Sequence, residues 1–476
     1  MASKSSSSAR LGRPKVVVVG GSFAGLATVR HLKDECDVCV VEPRDYFEYT
    51  PGACHLLAGS GSYSELLSPL SQVARGATHE RGYFVGVKPE SKKVVVRRGG
   101  SAAGSSTLHE IPFDALVLCS GLPYQAPIRA STSSFAERID EIERYKSRVE
   151  GSNNIIIVGG GLVGVELAAE FAVRLKHKPK ISIISRSSLL LTLPSAAGQI
   201  AHKWFSRHGV QVLLDDEIRD HKTLEQTLVT KNGVTMPVDL LVDCTGRPSL
   251  QPAQQAQQEG AASTATATQG LVSPYSKDGL VLVDDTLRAV QFGGETAVFA
   301  AGDVVEHQTP VGFAVSTGMG GGLFGAPANR PFVRNAHLAE SQAEVCAANI
   351  RRFFATSGSA PTSASTSSSV SGGYVRYPHD VFGAPLNPLL SCVSLGPNNA
   401  IVVFNGIVVG GAILGVLAAF VKFTIERTKI SEIRQQSLGR AFWAFGHVVV
   451  NFTHSLWVWL RLGLTKKRRL SPVPSL

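Results

Sequence analysis

Two stretches of this chain share one grammar. Val16 to Leu32 reads VVVVGGSFAGLATVRHL, and Ile155 to Phe171 reads IIIVGGGLVGVELAAEF. Each is a run of β-branched residues, a glycine turn and the start of a helix, the pattern of a buried parallel strand entering a strand–turn–helix unit. Gly159, Gly161 and Gly164 complete G-x-G-x-x-G in the second stretch. The first has Gly20, Gly21 and Gly25, but Ser22 stands where the second glycine of the motif is usual. In such a turn one glycine makes the tight bend, one lets the backbone approach a pyrophosphate, and one lets helix pack on strand. The phosphates then face free N–H groups at a helix N-terminus. One such motif is weak evidence, but two about 140 residues apart predict two dinucleotide sites.

The acid expected about 20 residues after the turn separates the two sites. Glu42 supplies it after the first turn, at the end of VCVVE, so that turn is predicted to hold an adenine dinucleotide with a free ribose diol. After the second turn, ISIISRSS has Ser185 and Arg186 where an acid is usual. Arg186 fits a 2′-phosphate, which permits NADPH; a solvated arginine with no cofactor role is the plainer alternative.

Strand-like runs alternate with helical ones along the rest of the chain: ALVLCSG, LLVDCTG and TAVFAAGD among them. That alternation predicts an α/β protein with two Rossmann-like, three-layer ββα/α units. Three low-complexity segments, at 97–110, 249–270 and 355–373, are expected as loop insertions and a linker.

Charge narrows the class of partner. The net charge is +10, but ten basic and two acidic residues lie from Lys422 onward, and residues 1–15 hold four basic residues and no acid. The body between them is left slightly acidic, at about −2. A nucleic-acid-binding body would carry its basic patch on the folded part, so no nucleic-acid partner is expected. Seven scattered cysteines suit a reducing compartment rather than a disulfide scaffold. Cys36 and Cys39 form C-x-x-C, but Cys39 falls within a strand-like run, against a metal or redox role. No metal site is expected. The opening MASKSSSSARLGRPK lacks the apolar core of a secretory signal and is expected to be a disordered tail.

Taken together, VVGGSFAG, EPRDYFEYTP, ALVLCSG, VGGGLVGVELAAE, LVDCTG, TAVFAAGD and NAHLAESQ resemble the two-dinucleotide-binding flavoproteins of the pyridine nucleotide-disulfide oxidoreductase superfamily. The likeness runs from about Lys15 to Gln436 and is greatest to the apoptosis-inducing-factor-2 (ferroptosis suppressor) branch, then to type II NADH dehydrogenases. It implies that Gly20, Gly21, Ser22, Gly25 and Glu42 hold the pyrophosphate and ribose of FAD, with Ser120 and Gly121 at the connection between domains. Gly302 and Asp303 would meet the ribityl chain. Gly159, Gly161, Gly164, Ser185, Arg186, Thr245 and Gly246 would hold NADH or NADPH. Glu166 would lie near the nicotinamide, against the plainer reading of a helix N-terminal acid, and Gln342 is a candidate at a quinone pocket.

The resemblance further implies domain bounds: a basic tail to residue 13, an FAD-binding domain at 14–125 and 238–354, an NAD(P)H-binding domain at 126–237, a linker at 355–373 and a C-terminal domain at 374–436. The chain departs from the family at Ser22, at Cys119-Ser120 and in a Gly-rich insertion at 315–331. Beyond Glu42 only the lone Cys54 stands where the disulfide reductases have a C-x4-C pair, so electrons are expected to leave the flavin directly. The myristoylation signal of some members is absent, since Ala2 follows the first Met.

Ala400 to Val421 holds no charge, long enough for a membrane span. Its Asn405-Gly406, between β-branched runs, predicts a hairpin followed by a helix instead. In the tail, 437–476, Arg440, His447, Asn451, His454 and Arg461 share one helix face, with Trp443, Trp457 and Trp459 elsewhere and KKRR beyond. This predicts a helix lying on a membrane surface with anionic lipids; a full span and a homodimer groove are the alternatives. The expected protein is a membrane-associated FAD enzyme, facing the cytosol, that passes hydride from NAD(P)H to flavin and electrons to a lipid-soluble quinone. Its alternatives are an organellar type II NADH dehydrogenase and a redox-sensing or pro-apoptotic flavoprotein without sustained turnover.

Overall fold

The computed structural model describes residues 12–99, 106–122, 124, 126–222, 226–246, 269–293, 296–308, 334–356, 373–377, 390–404, 407–446 and 448–449. The chain opens with β1 (Lys15–Val19), α1 (Phe23–Leu32), β2 (Asp37–Val41), the short helix α2 (Ala53–Leu57) and β3 (Ala77–Glu80). There follow β4 (Tyr83–Lys88), β5 (Lys93–Gly99), β6 (Ser106–Pro112), β7 (Ala115–Leu118) and the long helix α3 (Phe135–Glu150). The second glycine stretch forms β8 (Asn154–Val158) and α4 (Leu162–Arg174), succeeded by β9 (Lys180–Ile184), β10 (Gln211–Leu213) and β11 (Leu240–Asp243). The remainder includes β12 (Ala297–Ala300), α5 (Ala336–Thr356), β13 (Leu390–Ser394), β14 (Ala400–Phe404), β15 (Ile407–Val409) and α6 (Ala412–Ile433).

Two parallel sheets organise these elements. The first runs β12-β7-β1-β2-β3 and the second β10-β9-β8-β11. Val16 pairs with Val38 on one side and Ala115 on the other; Ile155 likewise pairs with Ile181 and Leu240. Strands buried on both faces need side chains that pack everywhere, which is why these runs are near-continuous Val, Ile and Leu. The first sheet is discontinuous in sequence, its edge strand β12 arriving after the whole second sheet. The strand LLVD, which the expected bound at 238 assigns to the first domain, pairs with β8 and so belongs to the second sheet.

The segment 97–110, expected as a loop insertion, is a correction. Its flanks extend β5 and β6, with Arg97 opposite Leu108 and Gly99 opposite Ser106, and only 100–105 falls outside the described residues. Cross-strand pairing there overrides the polar composition, because β4, β5 and β6 bury Val94, Val95 and Val96 together. Most of 249–270 and of 355–373, and the insertion at 315–331, lie outside the described residues.

β14 and β15 pair antiparallel as the predicted hairpin requires, with Phe404 opposite Ile407, and β13 completes the meander; residues 405–406 lie outside the described residues. α6 follows it, and a further helical stretch runs over residues 437–446. α3 is fixed to the first unit by Arg138, whose fully buried guanidinium forks onto Glu48 at 2.8 and 3.1 Å and reaches Glu141 at 2.8 Å. The same Arg138 donates to Pro127 O at 3.0 Å, fixing the irregular segment that carries Arg129.

Candidate dinucleotide and electron-transfer site

The two glycine turns are close structural copies. Gly20 has φ +107° and Gly159 +113°, the left-handed region that favours glycine. A Cβ on Gly25 would lie 1.9 Å from Gly20 O, and one on Gly164 2.0 Å from Gly159 O, so each helix sits directly on its own turn. Neither α1 nor α4 has a side-chain cap, Ser22 and Gly161 being the extended residues that precede them. Their first N–H groups therefore face outward from the turn. A Cβ on Gly161 would meet no protein atom within 4 Å, which explains how serine is accommodated at the matching Ser22.

Opposite the first turn stands Glu42, buried at the end of β2. Its carboxylate accepts from the Gly21 N–H at 2.7 Å and from the Arg44 Nε at 2.8 Å. Burial pushes the carboxyl up, but Arg44 overcomes that and the net displacement is downward. Opposite the second turn Ser185 takes the place that Glu42 has in the first. A Cβ on Gly160 would meet the Ser185 Oγ at 2.7 Å, and Arg186, exposed at the end of β9, has no ion pair among the described residues. The Thr245 N–H and hydroxyl both donate to Asp243, at 2.8 and 2.7 Å, and Gly246 packs 3.5 Å from Tyr124 through its added-Cβ position.

Around the first turn lie the remaining residues that the sequence singled out. Ser120 Oγ accepts from the Tyr275 hydroxyl at 3.0 Å. Gly121, at φ +68°, faces Arg129: a Cβ there would be 3.2 Å from the guanidinium. Arg129 is a residue that sequence reasoning missed. It donates to Leu122 O at 2.9 Å; burial and the nearby Arg44 depress its pKa, with Glu42 and Asp303 acting the other way. Burial lifts the Asp303 carboxyl above the ordinary range, against the pull of Arg129 and Arg334. The Gly302 N–H donates to Gln342 Oε1 at 2.7 Å. The Gln342 amide nitrogen is buried without a hydrogen-bond partner among the described residues.

Glu166 lies in the second turn of α4, past the first-turn position that the helix-dipole reading requires. It accepts from the Ser394 N–H at 2.8 Å and pairs with Lys422 of α6. Burial disfavours the Lys422 ammonium, but Glu166 overcomes it and raises the pKa. Lys422 was invisible to sequence reasoning, since its partner lies 256 residues away. One turn on, Glu170 has no exposed side-chain surface; burial raises its carboxyl, yet His55 and Arg174 hold it at about 2.

That depression has a consequence for acid stability. A carboxyl held below its usual 4.5 contributes stability above that pH and loses it as pH falls toward 2. Chemical denaturation midpoints are expected to fall through that window, and Glu170→Gln to flatten the decline.

Cys54 is buried, with its thiol 3.9 Å from Val163 O, and burial pushes its pKa far up. All seven cysteines are free.

The C-terminal surface corrects one expectation and extends another. Trp443, read as an interfacial tryptophan, is half-buried: its indole donates to Thr428 Oγ1 at 3.1 Å and Lys429 lies 4.5 Å over its ring. The exposed apolar surface begins earlier than residue 437, on α6, where Ile413 is 86% and Phe420 66% exposed beside Leu417. It continues through Leu438, Phe442 and Phe445. Among the described residues no helix is long and apolar enough to cross a membrane. His447, Asn451, His454, Trp457, Trp459 and Arg461 lie outside them.

Two parallel-sheet units, each with a glycine turn and an uncapped helix, define a fold that holds two dinucleotides. The chain belongs to the pyridine nucleotide-disulphide oxidoreductase family, whose model matches residues 14–320. Ferroptosis suppressor protein 1 of Taeniopygia guttata is 29% identical over 49% of this chain and 63% of its own length. External alternative NAD(P)H-ubiquinone oxidoreductase B3 of Arabidopsis thaliana is 26% identical over 49% of this chain and 47% of its own. The chain thus spans about half to two thirds of these relatives. Human ferroptosis suppressor protein 1 is 26% identical over 62% of this chain and 75% of its own. In fold, the chain is similar to NDH2 from Plasmodium falciparum in complex with NADH, with a TM-score of 0.62 at 13% identity over 89% of this chain and 97% of that one.

Proposed function

We propose that this chain is an FAD-dependent NAD(P)H:quinone oxidoreductase that works without a dithiol at a membrane surface. The observation that carries the reading is the pair of matched turns with different partners, Glu42 in one and Ser185-Arg186 in the other. Such a pair suits one dinucleotide with a free ribose diol and one whose ribose is met by a cation. The residues fit a flavin: the α1 N-terminus has no side-chain cap, and the Gln342 amide nitrogen is buried without a partner among the described residues. Bound there, the flavin would supply hydride acceptance and onward electron transfer.

The chain's own residues bind, orient and shield. Gly20 to Gly25 and Arg129 offer N–H groups and positive charge to a pyrophosphate, while Glu42 meets the ribose. Asp303 and Gly302 would meet the ribityl chain. The α4 N-terminus would receive the nicotinamide dinucleotide, with Thr245 and Gly246 beside it. Glu166, held by Lys422, would lie near the nicotinamide. Cys54 is too strongly disfavoured as a thiolate for dithiol chemistry. The relatives' names support a quinone acceptor, and the exposed apolar face of α6 supports a seat on the bilayer where such an acceptor dissolves.

Anaerobic titration tests the reading. NADPH or NADH should bleach the yellow protein, and a short-chain benzoquinone should restore the colour over many turnovers. Bleaching without sustained turnover would instead support a redox sensor.

Two expected results attach to the details. NADPH should be used in preference to NADH, and Arg186→Ala should raise the KM for NADPH about tenfold while sparing that for NADH, as loss of a charge-assisted contact predicts. Replacing Leu417 and Phe420 together by Asp should weaken co-sedimentation with vesicles containing anionic lipid by about tenfold or more. If the double substitution instead splits a dimer and leaves vesicle binding intact, the face is a contact between two copies of the chain.

A further inference from the structure

α4 and α6 both pack against β13, and each presents two charged residues one turn apart. Glu166 of α4 pairs with Lys422 of α6. One turn further on are Glu170 and Glu426, and His55 of α2 stands between them. Its Nδ1 is 3.2 Å from Glu170 and its Nε2 3.7 Å from Glu426. The ring thus joins three parts of the fold. Ser394 of β13 ties the two levels, giving its N–H to Glu166 at 2.8 Å and lying with its Oγ 3.2 Å from Glu170.

His55, Lys422 and Glu426 also line a cleft of about 320 Å³, together with Glu65, Arg174 and Arg427. Leu66, Ala419 and Phe423 share that wall, and the charged heads among them give water and protons a place to bind. Both the His55 and the Glu426 side chains are 19% exposed, whereas Glu170 is closed off entirely. The arrangement grades from cleft to interior within two helical turns.

We propose that His55 is a proton relay for acceptor reduction, taking a proton from water in this cleft at Nε2 and releasing one from Nδ1 toward the Glu170 carboxylate, which the Ser394 hydroxyl also meets. The proposal rests on the quinone reductase reading. Reduction of a quinone to its quinol takes two electrons and two protons. The hydride from NAD(P)H accounts for both electrons and one proton, and the second proton comes from water. The imidazole meets Glu170 of α4 and Glu426 of α6, and the other charged groups of its cleft are Arg174 of α4, Lys422 and Arg427 of α6, and Glu65 from the short helix near residue 65.

The test is His55→Gln in the full-length flavoprotein, followed by anaerobic stopped flow. Bleaching by NADPH or NADH, which transfers hydride alone, should keep its wild-type rate. Reoxidation by a short-chain benzoquinone should slow about tenfold, and excess imidazole should restore it. Reoxidation at the wild-type rate, or a slowing that imidazole does not repair, overturns the relay. A wild-type protein that neither NADPH nor NADH bleaches, or that the quinone does not reoxidise, overturns the underlying activity instead. A second readout needs no flavin. In cofactor-free protein, diethyl pyrocarbonate should modify His55, read by peptide mass spectrometry, because the ring opens onto the water of the cleft. A His55 that resists the reagent in the folded protein overturns the proposal.

Discussion

Gly25→Val is expected to yield a colourless protein, and Gly164→Val a yellow one that NADPH and NADH no longer bleach. A Cβ at either position would fall within 2.0 Å of a backbone carbonyl oxygen, that of Gly20 or Gly159. Backbone cannot move aside as a flexible side chain would, so the helix must lift from its turn. That displaces the outward-facing N–H groups on which a pyrophosphate would rest. Because the two turns belong to different sheets, each substitution damages one site only. The checks are flavin stoichiometry by absorbance and the extent of anaerobic bleaching. A full complement of flavin in Gly25→Val would overturn the assignment of the first turn.

Lys422→Met should destabilise the protein by about 3 kcal/mol or more, because it leaves Glu166 buried without its counter-ion. Both partners are only 12% exposed, so solvent screens the pair little. The double variant Glu166→Gln with Lys422→Met should regain much of that loss, since an amide is far cheaper to bury than a lone carboxylate. Denaturant midpoints for the four proteins of this cycle give the coupling directly. Additive losses would mean that Lys422 and Glu166 do not depend on one another. The contrast with the acid-induced decline ascribed to Glu170 is useful, because that carboxylate keeps Arg174 and His55 as separate partners.

Much of this architecture was legible in the residues because parallel strands buried on both faces carry their burial openly. VVVVG, IIIVG and LLVDC could hardly be anything else, and the turns between strand and helix announced two cofactors. Glu42 was legible for the same reason: it ends a strand at a fixed distance from its turn. Arg129 was not, because it comes from an irregular segment whose course is set by Arg138 and Pro127. Lys422 and His55 were hidden because their importance arises only where three separate stretches converge. Trp443 misled because helical spacing tells which residues share a face, but not which face a neighbouring helix covers. The edge residues of β5 and β6 misled in the opposite sense, a polar composition being overridden by pairing with a valine-rich neighbour.

The placement of β12 has a consequence for biosynthesis. The ribosome releases Asn154 to Asp243 complete with every strand of its sheet, while the unit that opens the chain still lacks its edge strand at Ala297–Ala300. The nested unit can therefore close first and the older residues must wait, held open by a gap of about 180 residues between β7 and β12. A nascent chain stalled shortly after Asp243 should already resist protease across its nested half and be cut freely across the other.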